Sequence, residues 1–387
     1  MRRLELGDLS GAVADLGVLV PLAAALVVVN GIHPGPILVA AGALSLGAGL
    51  AFRVPFPVQP LKALSALAIA QQLGPDIIHA AGLEIGLCLT LLAVTRLADR
   101  LATLFTKPVI RSLQLAVGSL LIVSAYRLAV RPPDVFLNTP PASWNLTLAV
   151  ATLAAVAVAA RMRWHAAGVL VLVVGITVGW AAAAPDLGPI NLNVPRLGLP
   201  PLSVFGSAFV LLVIPQLPLT YGNAVVGVSD LARELFGDRA AKVTPGRVAL
   251  SAGLGNIAAA AVGGMPMCHG SSGLSAHVRL GAHTRNMNVL LGTTFLLLGL
   301  AFSEQVLVLF GVLPAWALAG FLAYAGLRHA MLVLDLRGHR LTLAIVAGAI
   351  GVVTGNLAYT TAAALGVEQG ARLRTYLRRR RAAPVQR

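Results

Sequence analysis

Charged side chains are scarce in this sequence: Asp, Glu, Lys and Arg make up 11% of 387 residues, against roughly 25% in an average soluble domain. A fold in water could not hide a chain that is 57% hydrophobic, so an ordinary soluble domain is excluded. Acids are the scarcest, 14 against 29 Lys and Arg, leaving a net charge of +15. That excess does not indicate nucleic acid, because the basic residues stand in short clusters between apolar runs, the distribution of the positive-inside rule. There are only two cysteines, Cys88 and Cys268, both in apolar surroundings, so no disulfide framework is expected. A Gly-x-x-x-x-Gly-Lys-Ser/Thr phosphate loop, a His-Glu-x-x-His zinc motif and a paired Asp motif are all missing, which argues against ATP coupling and against an enzyme.

What the sequence has in quantity is apolar runs of about 20 residues, long enough to cross a hydrocarbon core of roughly 30 Å. Such runs are expected to be helices, which satisfy their own backbone groups in lipid. Spans are expected near 9–29, 35–52, 77–97, 108–128, 145–160, 166–184, 203–222, 245–263, 287–303, 305–330 and 341–366. Two further segments, 57–73 and 267–280, follow prolines or glycines and are too short or too polar for lipid-facing helices. They read as half-helices. No cleavable leader is expected, because residues 1–9 hold Arg2, Arg3, Glu5 and Asp8 and no small-residue cleavage site follows.

Counting both half-helices as crossings puts the clusters around Arg2, Arg96, Arg161, Arg239, Arg285 and Arg337 on one side, with Arg127 and Arg131 as exceptions. Splitting the last run into a hairpin at Gly355-Asn356 returns the basic residues 372–381 to that side and gives fourteen segments. The expected fold class is an all-α polytopic membrane protein with a seven-plus-seven inverted repeat. Residues 1–184 form the first repeat, 185–367 the second and 368–387 a basic tail, with a half-helix third in each repeat. Both termini are then cytoplasmic, and the expected location is the inner membrane of a bacterium.

Half-helices entering from opposite sides aim their N-termini at the membrane centre, where unbonded N–H groups and the helix dipole favour an anion. The first begins with Pro55, Pro57 and Pro60 and brings Gln59 and Lys62. The second brings His269, Gly270, Ser271, Ser272 and Gly273, small or donor-rich residues that permit close approach. Gln216, Thr220 and Asn223 follow Pro215 and Pro218 in the first span of the second half. These residues are the candidate cradle for a tetrahedral oxyanion. Asp15 and Glu84, acids inside apolar runs, are candidate proton sites, with a helix cap or packing contact as the alternative for Asp15 and a structural hydrogen bond as that for Glu84. Cys268, His269 and His277 do not make a closed zinc set, so no metal and no cofactor is expected.

Four stretches carry a resemblance to a known family: residues 5–17, Pro55 to Lys62, Gln216 to Thr220 with Asn223, and Gly264 to Gly270 with Gly273 and Leu274. In these the sequence resembles the molybdate transporter family, a branch of the sulfate permease superfamily. The resemblance implies a core domain that moves against a gate domain, both formed from the two repeats, and oxyanion uptake, most simply of molybdate. With no phosphate loop and with Asp15 and Glu84 as candidate proton sites, secondary active uptake in symport with protons is expected. Sulfate or tungstate are alternative substrates, and a passive anion channel is the alternative from another class. Nucleobase permeases share the architecture but would be expected to present carboxylates where this chain has Gln216 and no acid. Implied partners are the small oxyanion, protons and membrane lipid, with no nucleic acid, and a homodimer remains open. Where the family often has Ala-Gly this chain has Ser271-Ser272, and an aromatic pair further on is replaced by Val278 and Leu280.

Overall fold

The computed structural model describes residues 6–95, 106–133, 136, 140–162, 167–279 and 281–382. In the first half these form α1 (Leu6–Asn30), α2 (Pro34–Phe52), a two-residue strand β1 (Gln59–Pro60), α3 (Lys62–Gln71), α4 (Pro75–Thr95), α5 (Lys107–Val130), α6 (Ala142–Arg161) and α7 (Ala167–Ala183). After a stretch without helix come α8 (Leu202–Ala240), α9 (Pro245–Ala261), β2 (Met267–Cys268), α10 (Ser271–Arg279), α11 (Asn286–Ala301), α12 (Ser303–Val312), α13 (Ala315–Ala330), α14 (His339–Thr354) and α15 (Leu357–Ala382). Five helices among the described residues are long and apolar enough to cross a membrane, and the pair α11–α12 adds a sixth if taken as one span bent by 94°.

The helices pack by small residues, as helices do where lipid is the solvent and close backbone approach is the main attraction. A Cβ on Gly42 of α2 would lie 2.7 Å from the carbonyl of Gly292 in α11, and one on Gly86 of α4 would lie 2.8 Å from that of Gly253 in α9. The second helix of one half thus meets the fourth helical element of the other, in both senses, as an inverted repeat requires. α1–α4 and α8–α11 pack chiefly with one another, while α5 packs with α13, α14 and α15, and α6 packs on α13.

Both half-helices are present, and the reason lies in the residues before them. Arg53 closes α2 in the left-handed region at φ 62°, and Pro55, Pro57 and Pro60 keep the chain extended until α3. Gly263, at φ 75°, and Pro266 do the same before α10. The extended pieces pair antiparallel, Gln59 opposite Cys268 and Pro60 opposite Met267. This pairing is absent from the sequence reading. So are the two asparagines that hold the breaks. Asn256 of α9 bonds both the N–H and the carbonyl of Met267, at 2.7 and 2.8 Å, and Asn288 of α11 bonds both groups of Phe56, at 2.8 and 2.6 Å. Irregular backbone at membrane depth needs such partners.

Two expectations change. The single span expected over 305–330 is two helices, because Pro314 lacks an N–H and keeps Leu313 extended (ψ 123°). The segment 368–387 is not separate from the last helix up to residue 382, since α15 runs from Leu357 to Ala382 without a break. The hairpin at Gly355-Asn356 is present: Gly355 ends α14 at φ 66°, and α14 packs along α15.

Candidate functional site

α8 carries the first polar residues of the site. Pro215 and Pro218 cannot donate to a regular helical ladder, and the run widens into π-helical turns at Phe209–Val213 and Thr220–Gly227 on either side of them. The wider turns hold Thr220 and Asn223 opposite the half-helices. Gln216, 3% exposed, accepts from the Leu64 N–H at 2.8 Å through Oε1 and donates to Thr220 Oγ1 at 2.8 Å through Nε2. It therefore caps the first turn of α3, taking one of the donors that the sequence reading assigned to an anion. Asn223 Oδ1 accepts from Ser271 Oγ at 2.5 Å, which ties α8 to the first turn of α10.

Between these elements lies a cavity of about 40 Å³ lined by Lys62, Gln114, Gln216, Thr220, Asn223, Cys268 and His329, among others. No described lining residue is acidic. Lys62 brings a full positive charge and donates from Nζ to Ser272 Oγ at 3.1 Å. Gln114 of α5 accepts from Arg111 Nη1 at 2.7 Å through Oε1, so its Nε2 donor is the end available to the cavity. Arg111 is in turn held by Asp335, through Nε at 3.0 Å and Nη2 at 2.5 Å, and Lys107 joins the same carboxylate at 2.9 Å. The acid nearest this chain of contacts is thus paired with cations. Of the residues singled out in the sequence, Lys62, Gln216, Thr220 and Asn223 meet in the cavity wall, and Ser271 and Ser272 bond to that wall. Gln114 and His329 are additions that the sequence does not single out. His329 sits near the end of α13, where polar residues are ordinary, and Gln114 lies two turns inside α5 as a lone amide.

Gln59, 2% exposed, lies behind the wall. A Cβ on Gly270 would come 3.1 Å from its Oε1, and one on Gly273 would come 2.6 Å from its Nε2 and 2.7 Å from Pro57 Cβ. Both glycines are needed for β1 to sit this close to α10. His269 is also behind the cradle: Nδ1 bonds the Pro57 carbonyl at 2.8 Å, Nε2 bonds Ser251 Oγ at 3.0 Å, and the ring lies 4.9 Å from that of Phe56. His277 Nδ1 likewise bonds the Gly11 carbonyl at 2.8 Å. Glu84 lies on α4, off the cavity wall, with Oε2 buried and without a hydrogen-bond partner. Asp15 belongs to α1, but its side chain lies outside the described residues.

The fold matches solved structures. The transmembrane domain of a cyanobacterium bicarbonate transporter BicA superposes with a TM-score of 0.68 at 15% identity, covering 93% of this chain and 98% of that one. Murine Solute Carrier 26 family member A9, an anion transporter in the inward-facing state, gives 0.68 at 12% identity, covering 97% and 69%. Fold and cavity together define the class, a membrane-embedded protein with the seven-plus-seven inverted-repeat transporter fold, whose donor-lined cavity has no acid among its described lining residues. The family model described as "Molybdate transporter of MFS superfamily" matches residues 7–121 and 208–328, and the chain belongs to that molybdate transporter family. "Molybdate transporter 2" of Arabidopsis thaliana is 27% identical over 405 residues, 92% of this chain and 86% of the relative. "Molybdate transporter 1" of Chlamydomonas reinhardtii is 27% identical over 452 residues, 87% and 86%. The family description carries the MFS label, while the fold is that of the bicarbonate and solute carrier 26 structures.

Proposed function

We propose that this chain takes up a tetrahedral oxyanion, molybdate before sulfate or tungstate, by secondary active transport. The observation that carries the reading is the convergence of Lys62 with neutral amide, imidazole and hydroxyl groups on one cavity at the first turn of α3, with Ser271 and Ser272 of α10 bonded to its wall and no acid among its described lining residues. A dianion in a site of low dielectric needs both charge and hydrogen-bond partners. The names of the relatives favour molybdate among such anions. In this reading α1–α4 and α8–α11 form the core domain that carries the cradle, and α5–α7 with α12–α15 form the gate. The cavity lies on the seam between them, so sliding of one body against the other would expose it to each side in turn.

Proton coupling is part of the proposal, with Asp15 and Glu84 as its candidates. An ionisable group in a span is costly unless it serves such a role, and the buried, unbonded Oε2 of Glu84 is the stronger of the two motives. Proteoliposomes with labelled molybdate outside should accumulate it when the outside is made acidic. Unlabelled tungstate and sulfate should compete and uracil should not. Glu84→Gln or Asp15→Asn should lose pH-driven accumulation while retaining exchange. Uptake indifferent to pH in wild type would remove the proton, and uracil competition would remove the oxyanion.

The orientation we propose has both termini cytoplasmic, on the strength of the arginine distribution. A cysteine placed at Ala382 should resist a membrane-impermeant thiol reagent applied to intact cells. Ready labelling from outside would reverse the orientation.

A further inference from the structure

Arg127 and Arg131 break the charge pattern of the rest of the chain, and the structure puts both on one small cavity. It measures about 50 Å³ and is lined by Ile69, Ala70, Gln72, Ser124, Arg127 and Arg131, among others, with no acid among its described lining residues. Arg127 Nη1 donates to the Ala70 carbonyl at 3.1 Å, which fixes one guanidinium beside the C-terminal end of α3. Arg131 ends α5, where Pro132 and Pro133 prevent another turn. Two positive charges side by side, one of them held by the Ala70 carbonyl, where the positive-inside rule expects few need a reason.

Three helices, α3, α5 and α13, line both this cavity and the other one; α1 adds Val29 here, and α8 adds Gln216, Thr220 and Asn223 there. The Lys62 cavity takes Lys62 from α3, Gln114 from α5 and His329 from α13, and the second takes Ile69 and Ala70 from α3, Ser124 and Arg127 from α5 and Leu322 from α13, with Gln72 and Arg131 just past the ends of α3 and α5. Ten residues of α5 separate Gln114 from Ser124, about 15 Å along a helix. Leu67 of α3 and Val117 and Leu121 of α5 fall between the two sites and are buried. The α3–α5–α13 seam thus carries two basic cavities with no acid among their described lining residues, one at each end of the half-helix, with apolar packing between.

We propose that the Arg127–Arg131 cavity is a second oxyanion station, the point at which the anion is captured before it moves along the seam to Lys62. This rests on the reading of the Lys62 cavity as the oxyanion site. Focused charge of this kind raises the local concentration of its counter-ion and speeds association, and salt removes the effect.

The test is labelled molybdate uptake into proteoliposomes for wild type, Arg131→Gln and Arg131→Lys, at about 0.01 M and about 1 M ionic strength. At low salt Arg131→Gln should raise the half-saturating molybdate concentration about threefold to tenfold, the lower end of what focused charge does to association. Arg131→Lys should restore it, and high salt should erase the difference. The equilibrium affinity of the Lys62 cavity for molybdate, the tighter site in calorimetry, should stay within about twofold of wild type, because that cavity is untouched. Unchanged half-saturation at low salt overturns the station, and so does a defect that lysine does not rescue, which would mark Arg131 as structural. Wild-type vesicles that take up no oxyanion would overturn the reading beneath it as well.

Discussion

Gly273→Leu should lower molybdate uptake by about 100-fold or more, the scale of loss that misplacing a site by about 1 Å produces. The added Cβ would lie within 2.7 Å of both Gln59 Nε2 and Pro57 Cβ, so β1 must move away from α10. Overpacking of this kind costs roughly 1–3 kcal/mol, which a chain with this much buried contact survives, while the spacing of the two half-helices does not. Ser272→Trp gives the same test without strain in the packing, because Ser272 is exposed and its hydroxyl meets Lys62. It should insert and fold as wild type, shown by a single peak in gel filtration and an unchanged Tm, yet bind molybdate poorly in calorimetry. If both variants bind and transport normally, the anion is held elsewhere.

Lys62→Gln should weaken molybdate binding by about tenfold to a hundredfold, since a hydrogen bond to a charged group contributes roughly 1.5–3 kcal/mol. Lys62 is the only lysine or arginine among the described residues of the cavity wall, so no neighbouring Lys or Arg can substitute for it. Loss of affinity should be clear in calorimetry with the purified protein, and Tm should be nearly unchanged. Wild-type affinity in the Lys62→Gln variant would mean that backbone donors of α3 and α10 hold the anion unaided.

Much of this is legible in the sequence, and the reasons are particular. The half-helices show because Pro55, Pro57, Pro60 and Pro266 cannot sit inside a regular helix. The hairpin at Gly355-Asn356 shows because a single span would strand the basic end on the wrong side. Pro314 carries the same kind of signal, but no charged residue interrupts the run from 305 to 327, which hides it. β1 and β2 leave no trace, because a two-residue strand has no period to read. Asn256 and Asn288 are visible only as lone amides in apolar helices, a pattern that the structure explains as a request for a polar partner. Gln216 is recognisable as polar and central, but its direction cannot be read from spacing: it serves the N–H of Leu64 across the interface. His269 is drawn toward the site by its neighbours in sequence, while its ring turns back to Pro57 and Ser251.

The most direct test of the oxyanion site is a structure of the protein saturated with tungstate, whose electron-rich metal marks its position. One strong peak is expected in the cavity at the first turn of α3, with an oxyanion oxygen about 2.7–2.9 Å from Lys62 Nζ, the usual length of a charge-assisted contact. A saturated protein with no density in that cavity, and an ordered anion only at some other place in the fold, would contradict it.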